Sequence, residues 1–240
     1  LVELLVTSST YMQDSYVSET HLRQDPENIW LGRASRLRLP AETLRDQALA
    51  VSGLLNGKIG GPSVKPYQPE GLWKEIASQA YDQGTGEDLY RRGMYTFWKR
   101  TVPPPTMVTF DASSREICVL SRSRTNTPLQ ALALLNEVSY VEAARNLAQQ
   151  MMLTEKSPAA RLRWGWRQVT SREPSDYEVS VLANSLQRNL KRYAADSDAA
   201  KELVSFGESI PAADLDVSEL AAYTAVASML MNLDEVINRE

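Results

Sequence analysis

The chain has 240 residues, 43% of them apolar and 23% charged, which are ordinary values for a globular domain and exclude general disorder. Its net charge of −4 is too small to imply a partner. One cysteine and one histidine exclude an internal disulfide, a Cys/His zinc cluster and covalent haem attachment. No apolar stretch approaches the roughly 20 residues that cross a bilayer, so we expect no membrane span. Because helix-favouring residues dominate, we predict a mostly α fold, with an irregular, loop-rich N-terminal half packed on a C-terminal helical bundle.

The first 80 residues alternate helix and loop signals. Apolar residues at 2–6 predict a short helix, and Asp25-Pro26 predicts a second helix over "DPENIWLGRASR", with the aspartate as its cap. A third helix is predicted from "LPAE" at 39–42 to Gly57. The glycine- and proline-rich stretch 57–71 predicts an extended loop, and "LWKEIASQAY" a further short helix.

Residues 91–126, here called the basic segment, mix arginine, aromatic residues and proline. From Arg91 to Arg124 seven bases oppose two acids, a net charge of +5, whereas the chain from Tyr193 onward carries ten acids against two bases. These two regions attract one another, face a partner, or are simply solvated. Three consecutive prolines, 103–105, argue against a regular helix and predict an ordered irregular segment with at most one short strand.

Thr127-Pro128-Leu129-Gln130 has the form of a capping box and predicts a helix start. The helix that follows is either one long helix or two helices broken near Asn136. With Arg122, Arg124 and Asn126 just upstream, this start would suit a phosphate, sulfate or carboxylate. Alternatively, the arginines pair with internal acids such as Asp111 or Glu116 and hold the loop in place.

The interleaved bases and aromatic residues of "RRGMYTFWKRT" admit three interpretations. They would stack on single-stranded nucleic acid, bind carbohydrate, or place the aromatic rings in the core with the charges outward. An isoelectric point near 5.3 argues against nucleic acid. Asp111 either orients an arginine or acts as a base, and Cys118, in "ICVL", is interpreted as a packed small residue.

The C-terminal part is predicted to consist of helices with recognisable N-terminal capping residues. Ser157-Pro158 starts one helix, others are predicted over 176–195, 197–206 and 217–240, and 207–215 is a loop. We predict one continuous domain with an N-terminal part, 1–153, that carries the basic segment, and a C-terminal part, 154–240. Because the chain opens without a methionine, we expect it to be a fragment of a larger protein.

Several stretches resemble one family. They are "TSSTYMQDS", "DPENIWLGRASRLRLPAETLRDQALAVSGLL", "GGPSVKPYQPEGLW", "YTFWKRTVPPPTMVTFDASSREICVLSRSRTNTPLQALALLN" and the ending "MLMNLDEVINRE". The sequence is similar to the planctomycete-specific domain of unknown function 1553. The resemblance implies the C-terminal end of a large exported protein, often with a c-type cytochrome module upstream and a link to polysaccharide degradation. Any haem would belong to that module, because this chain has no attachment motif and we expect no cofactor in it.

The resemblance also implies which positions recur in the family. They are Trp98, Lys99, Arg100, Pro104, Phe110, Asp111, Arg115, Glu116, Arg124, Asn126, Thr127, Pro128 and Gln130. The family pattern often has an arginine pair where this chain has Ser121-Arg122. The resemblance carries over no catalytic residue.

Three functions remain open. The first is a module that binds an anionic polysaccharide or the upstream domains of the same protein. The second is a carbohydrate-active enzyme with Asp111 or Glu116 as acid–base and arginines as substrate clamps, and the third is a structural scaffold between domains. The candidate ligand-binding residues are Arg91, Arg92, Trp98, Lys99, Arg100, Asp111, Arg122, Arg124, Asn126 and Thr127. We expect neither nucleic acid nor metal as a ligand.

Overall fold

A computed structural model describes residues 1–77 and 80–239, without the side chains of residues 75–77, and the described chain is mostly α-helical, as predicted. Ser78 and Gln79, inside the predicted "LWKEIASQAY" helix, lie outside the described residues. The helices are α1 (Val2–Val6), α2 (Glu19–Gln24), α3 (Ala41–Val51), α4 (Leu72–Ala77), α5 (Pro105–Thr109), α6 (Pro128–Asn136), α7 (Val138–Thr154), α8 (Pro158–Thr170), α9 (Asp176–Ala195), α10 (Ser197–Val204), α11 (Val217–Met231) and α12 (Asp234–Ile237). The strands are β1 (Leu37–Arg38) and β2 (Asn238–Arg239), paired antiparallel. None of the described helices is long and apolar enough to cross a membrane.

The C-terminal bundle packs α7, α9 and α10 around α11. Buried alanines on α7 and α11 let the helix axes approach closely, and larger apolar side chains fill the space between them. One apolar core extends from the start of α3 to α12. The predicted boundary at residues 153 and 154 therefore falls in the last turn of α7, within the part of the chain that shares this core.

Local capping determines where the bundle helices begin. Ser157 caps α8, and capping boxes start α6 at Thr127 and α9 at Ser175, as the sequence indicates for α6 and α8. Of the two alternatives after Thr127, the broken helix is confirmed. Glu137 leaves the helical conformation with ψ near 136° and caps α7 with its own side chain, so the chain turns between α6 and α7.

Three predictions for the N-terminal half are wrong. No helix follows Asp25, because its carboxylate accepts the N–H groups of Ile29 and Trp30 and stabilises turns instead. α3 ends at Val51 rather than Gly57, since the chain turns through Gly53 at φ +71°.

The third error concerns the prolines. The third of them occupies the first turn of α5, where a missing N–H costs nothing. Apart from a 3₁₀ turn at Gly93–Tyr95, the remainder of the basic segment is irregular, as predicted. Isolated bridges connect residue 56 to 91 and residue 64 to 96.

Candidate functional site

The basic segment begins with a buried arginine that pairs with backbone carbonyls of the protein itself. Arg91 is buried, and its guanidinium donates to the carbonyl oxygens of Lys58, Gly60 and Pro62. It also lies 3.8 Å from the ring centroid of Tyr95. Arg91 therefore holds the 57–62 loop against the basic segment and does not face a ligand.

Two acids of α3 tether the segment near both ends. Arg92 Nε lies 2.8 Å from Asp46, which also accepts the N–H of Gly93, and Arg122 Nη1 lies 2.8 Å from Glu42. Burial alone would raise the pKa of Glu42, but the hydrogen bond and charge of Arg122 hold it below its usual value. Arg92 and Arg122 are therefore paired with Asp46 and Glu42, and not with Asp111 or Glu116. Asp46 and Glu42 belong to α3, so these two arginines are not paired with the acidic C-terminal region.

The middle of the segment also has internal partners. Trp98 Nε1 donates to the Ser114 carbonyl at 3.1 Å, and the Arg115 guanidinium lies 4.8 Å from the indole centroid. The Lys99 ammonium lies 4.5 Å from the Trp73 ring, whereas Arg100 is exposed at a turn. Trp98 and Lys99 therefore already make contacts within the protein, whereas Arg100 is exposed to solvent.

An open groove lies beside the end of the segment, and we call it the arginine groove. It has a volume of about 260 Å³ and runs between the residues before α3, the end of α5 and the exposed loop that follows. The residues that line it are Arg38, Leu39, Pro40, Phe110, Asp111, Leu120, Ser121, Arg122, Ser123 and Arg124. Three of the predicted site residues, Asp111, Arg122 and Arg124, thus meet here.

The groove contains a cation that the sequence did not indicate. Nε and Nη1 of Arg38 are buried and have no hydrogen-bond partner among the described residues. Burial lowers the pKa of Arg38, and the charge of Asp111 opposes that change. Arg38 was missed because its short strand pairs with β2, 200 residues later, and nothing local marks it.

Asp111 organises the loop rather than an arginine. Its carboxylate accepts the N–H and hydroxyl of Thr125 at 2.7 and 2.8 Å, and its own backbone is left-handed at φ +59°. Gln130 reinforces this closure by donating to the Thr109 carbonyl and the Thr125 hydroxyl. Glu116, the other predicted acid, is exposed and does not line the arginine groove.

The start of α6 has few free groups for an anion. The capping box occupies the N–H groups of Thr127 and Gln130, and Pro128 has none. Asn126 and Arg124 are exposed just before it, and Arg124 has no ion pair or hydrogen bond in the part of the chain that the structure describes. Anion recognition here would therefore depend on the arginines more than on the helix terminus.

The interpretation of Cys118 as a packed residue is wrong. Cys118 is exposed, and its neighbours Ile117, Val119 and Leu120 are at least half exposed, because "ICVL" lies in the loop after α5. Among the described residues, no cluster of three or more His, Cys, Asp or Glu side chains could hold a metal ion.

A buried polar network under the irregular half was also missed. Glu142 and Arg145 of α7 are each 1% exposed and lie 3.7 Å apart. The Glu142 carboxylate accepts from the Tyr90 hydroxyl at 2.9 Å and from the Ser209 N–H at 2.7 Å. In a sequence, an acid and a base at positions i and i+3 normally indicate a solvated helix face. The burial of this pair is seen only in the structure, where the 207–215 loop packs over α7.

The comparisons with known proteins give a family and no function. No curated protein and no solved structure matches the chain. The PSD1 family model, described as a protein of unknown function (DUF1553), matches residues 1–186. The match covers the basic segment and the whole arginine groove, and it ends inside α9, before the stretch "MLMNLDEVINRE". Since this is more than three quarters of its length, the chain belongs to the DUF1553 family of proteins of unknown function.

Proposed function

We propose that this domain binds an anionic polysaccharide through the arginine groove. The observation that carries the proposal is Arg38, whose two buried guanidinium nitrogens have no partner although the side chain borders an open groove. Buried guanidinium N–H groups without an acceptor are unfavourable, and a sulfate or carboxylate group of a ligand would accept from them. Arg124, exposed and unpaired among the described residues, supplies a second charge at the same groove.

Shape and balance of charge favour a polymer ligand over a single ion. The groove is open and is formed largely by an exposed loop, so a chain could pass through it with one charged group at Arg38. Asp111 supplies the one carboxylate among the described lining residues, and of the three lining arginines Arg122 is already paired with Glu42. Three arginines against the two carboxylates of Asp111 and Glu42 leave this region with a net charge of +1.

The enzyme alternative lacks its second acid. Glycoside hydrolysis with two carboxylates needs both at the scissile bond, whereas Glu116 does not line the groove and Asp111 already accepts two short hydrogen bonds. The proposal also includes the setting that the family resemblance implies, an exported parent protein with upstream domains and any haem in those domains. Polysaccharides are a ligand class available outside the cell.

The experiment measures binding of sulfated, carboxylated and neutral polysaccharides to wild type, Arg124→Ala and Arg188→Ala. Arg188 is an exposed arginine of α9, far along the chain from the groove, and is the matched control for loss of one charge. We expect anionic polymers to bind in a salt-sensitive manner, Arg124→Ala to weaken binding about tenfold, and Arg188→Ala to leave it unchanged. Equal effects of both substitutions, or equal binding of neutral polymers, would reject the proposal.

A further inference from the structure

A second cavity, here called the proline-walled pocket, lies beside α3, whose Ala41 and Arg45 line it. Its volume is about 220 Å³, and most of its wall is apolar. Four prolines contribute to this apolar wall, at positions 66, 69, 104 and 105. The pocket shares no lining residue with the arginine groove, so its ligand is a separate question.

Two buried donors at this pocket have no partner. Arg45, 7% exposed, donates from its two Nη atoms to the Ser139 hydroxyl and the Leu89 carbonyl, but its Nε is buried and unpartnered. Thr96, 6% exposed, has a buried hydroxyl without a partner. Both residues line the pocket. Because unmatched buried donors are unfavourable, they indicate a ligand with an acceptor oxygen.

The charge in the wall is already balanced. Glu137 lines the pocket, and its carboxylate accepts the N–H and hydroxyl of Ser139 at 3.0 and 3.1 Å. Burial raises the pKa of Glu137, and the nearby charge of Arg45 partly offsets that rise. One cation and one anion therefore face each other through Ser139, and a charged ligand would leave one charge uncompensated.

We infer that the proline-walled pocket binds a small neutral amide, such as the acetamido group of an amino sugar or of a blocked amino acid. The amide carbonyl accepts from Arg45 Nε and the Thr96 hydroxyl, and its methyl group packs among the prolines. The side-chain oxygens of Asn136 and Glu137, which also line the pocket, are acceptors for the amide N–H. A secondary amide thus matches both the unpaired donors and the apolar wall, whereas a plain sugar ring matches only the donors.

The test titrates the domain with N-acetylglucosamine, glucose and N-acetylalaninamide and follows binding by NMR. Glucose has the same ring without the amide, and the third probe has the amide without the sugar. We expect saturable binding of at least one amide probe and none of glucose. Which amide probe binds more tightly tells whether the natural source is a sugar or a peptide. Binding of glucose as tight as that of the amides, or binding of none, would overturn the inference.

Thr96→Val provides the matched variant. Because the Thr96 hydroxyl has no partner in the protein, its removal should leave the melting temperature unchanged or raise it, while amide binding weakens about tenfold. Thr101→Val makes the same chemical change at an exposed position outside the pocket and should change nothing. A Thr96→Val protein that binds the amide probes as well as wild type would refute the assignment of this hydroxyl.

Discussion

The C-terminal bundle and the irregular N-terminal half satisfy their backbone groups in different ways. In α7, α9 and α11 the helical ladder itself pairs the N–H and carbonyl groups, and side chains are free to form the core. In the irregular half, side chains pair the carbonyls. Arg91 donates hydrogen bonds to three backbone carbonyls. Gln130 donates to the Thr109 carbonyl, and Trp98 donates to the Ser114 carbonyl.

This difference teaches how to interpret a basic segment. A run of arginines in an irregular, proline-rich stretch is partly a supply of donors for carbonyls that no ladder pairs. Arg91 is such a donor, Arg92 and Arg122 are tethered to α3, and Arg124 remains exposed. Net charge therefore overstates what a ligand would meet, and the arginine groove depends on only a few of these residues.

The largest loss of stability is expected at the buried network of Glu142 and Arg145, which the irregular half contacts through Tyr90. Gly207→Ala would place a Cβ on the Glu142 carboxylate, at a residue whose φ is +85°. Since this displaces one member of a buried ion pair, we expect a loss of about 4 kcal/mol or more in the free energy of unfolding. Gly60→Ala is the control, because its φ is also positive and its Cβ would meet open space. It should cost about 1 kcal/mol, and chemical denaturation measures both. Equal losses would mean that the network is not rigid.

A smaller, regional effect is expected from Arg91→Met. The substitution keeps bulk but leaves the carbonyls of the 57–62 loop unpaired, so we expect a loss of about 3 kcal/mol. Amide hydrogen exchange should accelerate over residues 56–66 and 91–97 while α7 and α11 keep their protection. Arg188→Met, on the exposed side of α9, should change neither. Uniform acceleration throughout the chain would show that the two regions unfold as one unit.

The smallest expected loss of stability comes from an ion pair of the C-terminal bundle, Arg172 with Glu178. The Arg172 guanidinium lowers the pKa of Glu178 from 4.5 to about 2. Since the folded pKa is the lower one, this pair stabilises the protein above about pH 4.5, and the contribution is lost as pH falls toward 2. Glu178→Gln keeps a capping-box residue, so it should cost about 1 kcal/mol near pH 7, because solvent screens the pair. Urea unfolding of wild type and Glu178→Gln near pH 7 and near pH 2 measures this difference in stability. A difference that persists near pH 2 would exclude the charge of Glu178 as its cause.

The sequence predicted the parts of the fold that local chemistry decides. The caps at Thr127 and Ser157 depend on a few adjacent residues, and the structure confirms them. The break near Asn136 was one of two alternatives that the sequence left open, and the structure has the broken helix. The false helix after Asp25 shows the limit of such signals, because the same aspartate can cap a helix or accept two N–H groups of a turn.

The candidate site was only half predictable. Charge counting located Asp111, Arg122 and Arg124, because they lie within 14 residues of one another. Arg38 joins them through the pairing of β1 with the far end of the chain, and Arg45 and Thr96 meet only when α3 packs beside the basic segment. Contacts between residues so far apart in sequence leave no local pattern.

The most direct test of the central claim is amide hydrogen exchange with and without a carboxylated polysaccharide. If the arginine groove is the binding site, the polymer should protect residues 120–125 and the 36–39 stretch, and the protection should disappear at high salt. Protection centred instead on Trp98 and Arg100, with the groove unchanged, would contradict the account and return recognition to the middle of the basic segment.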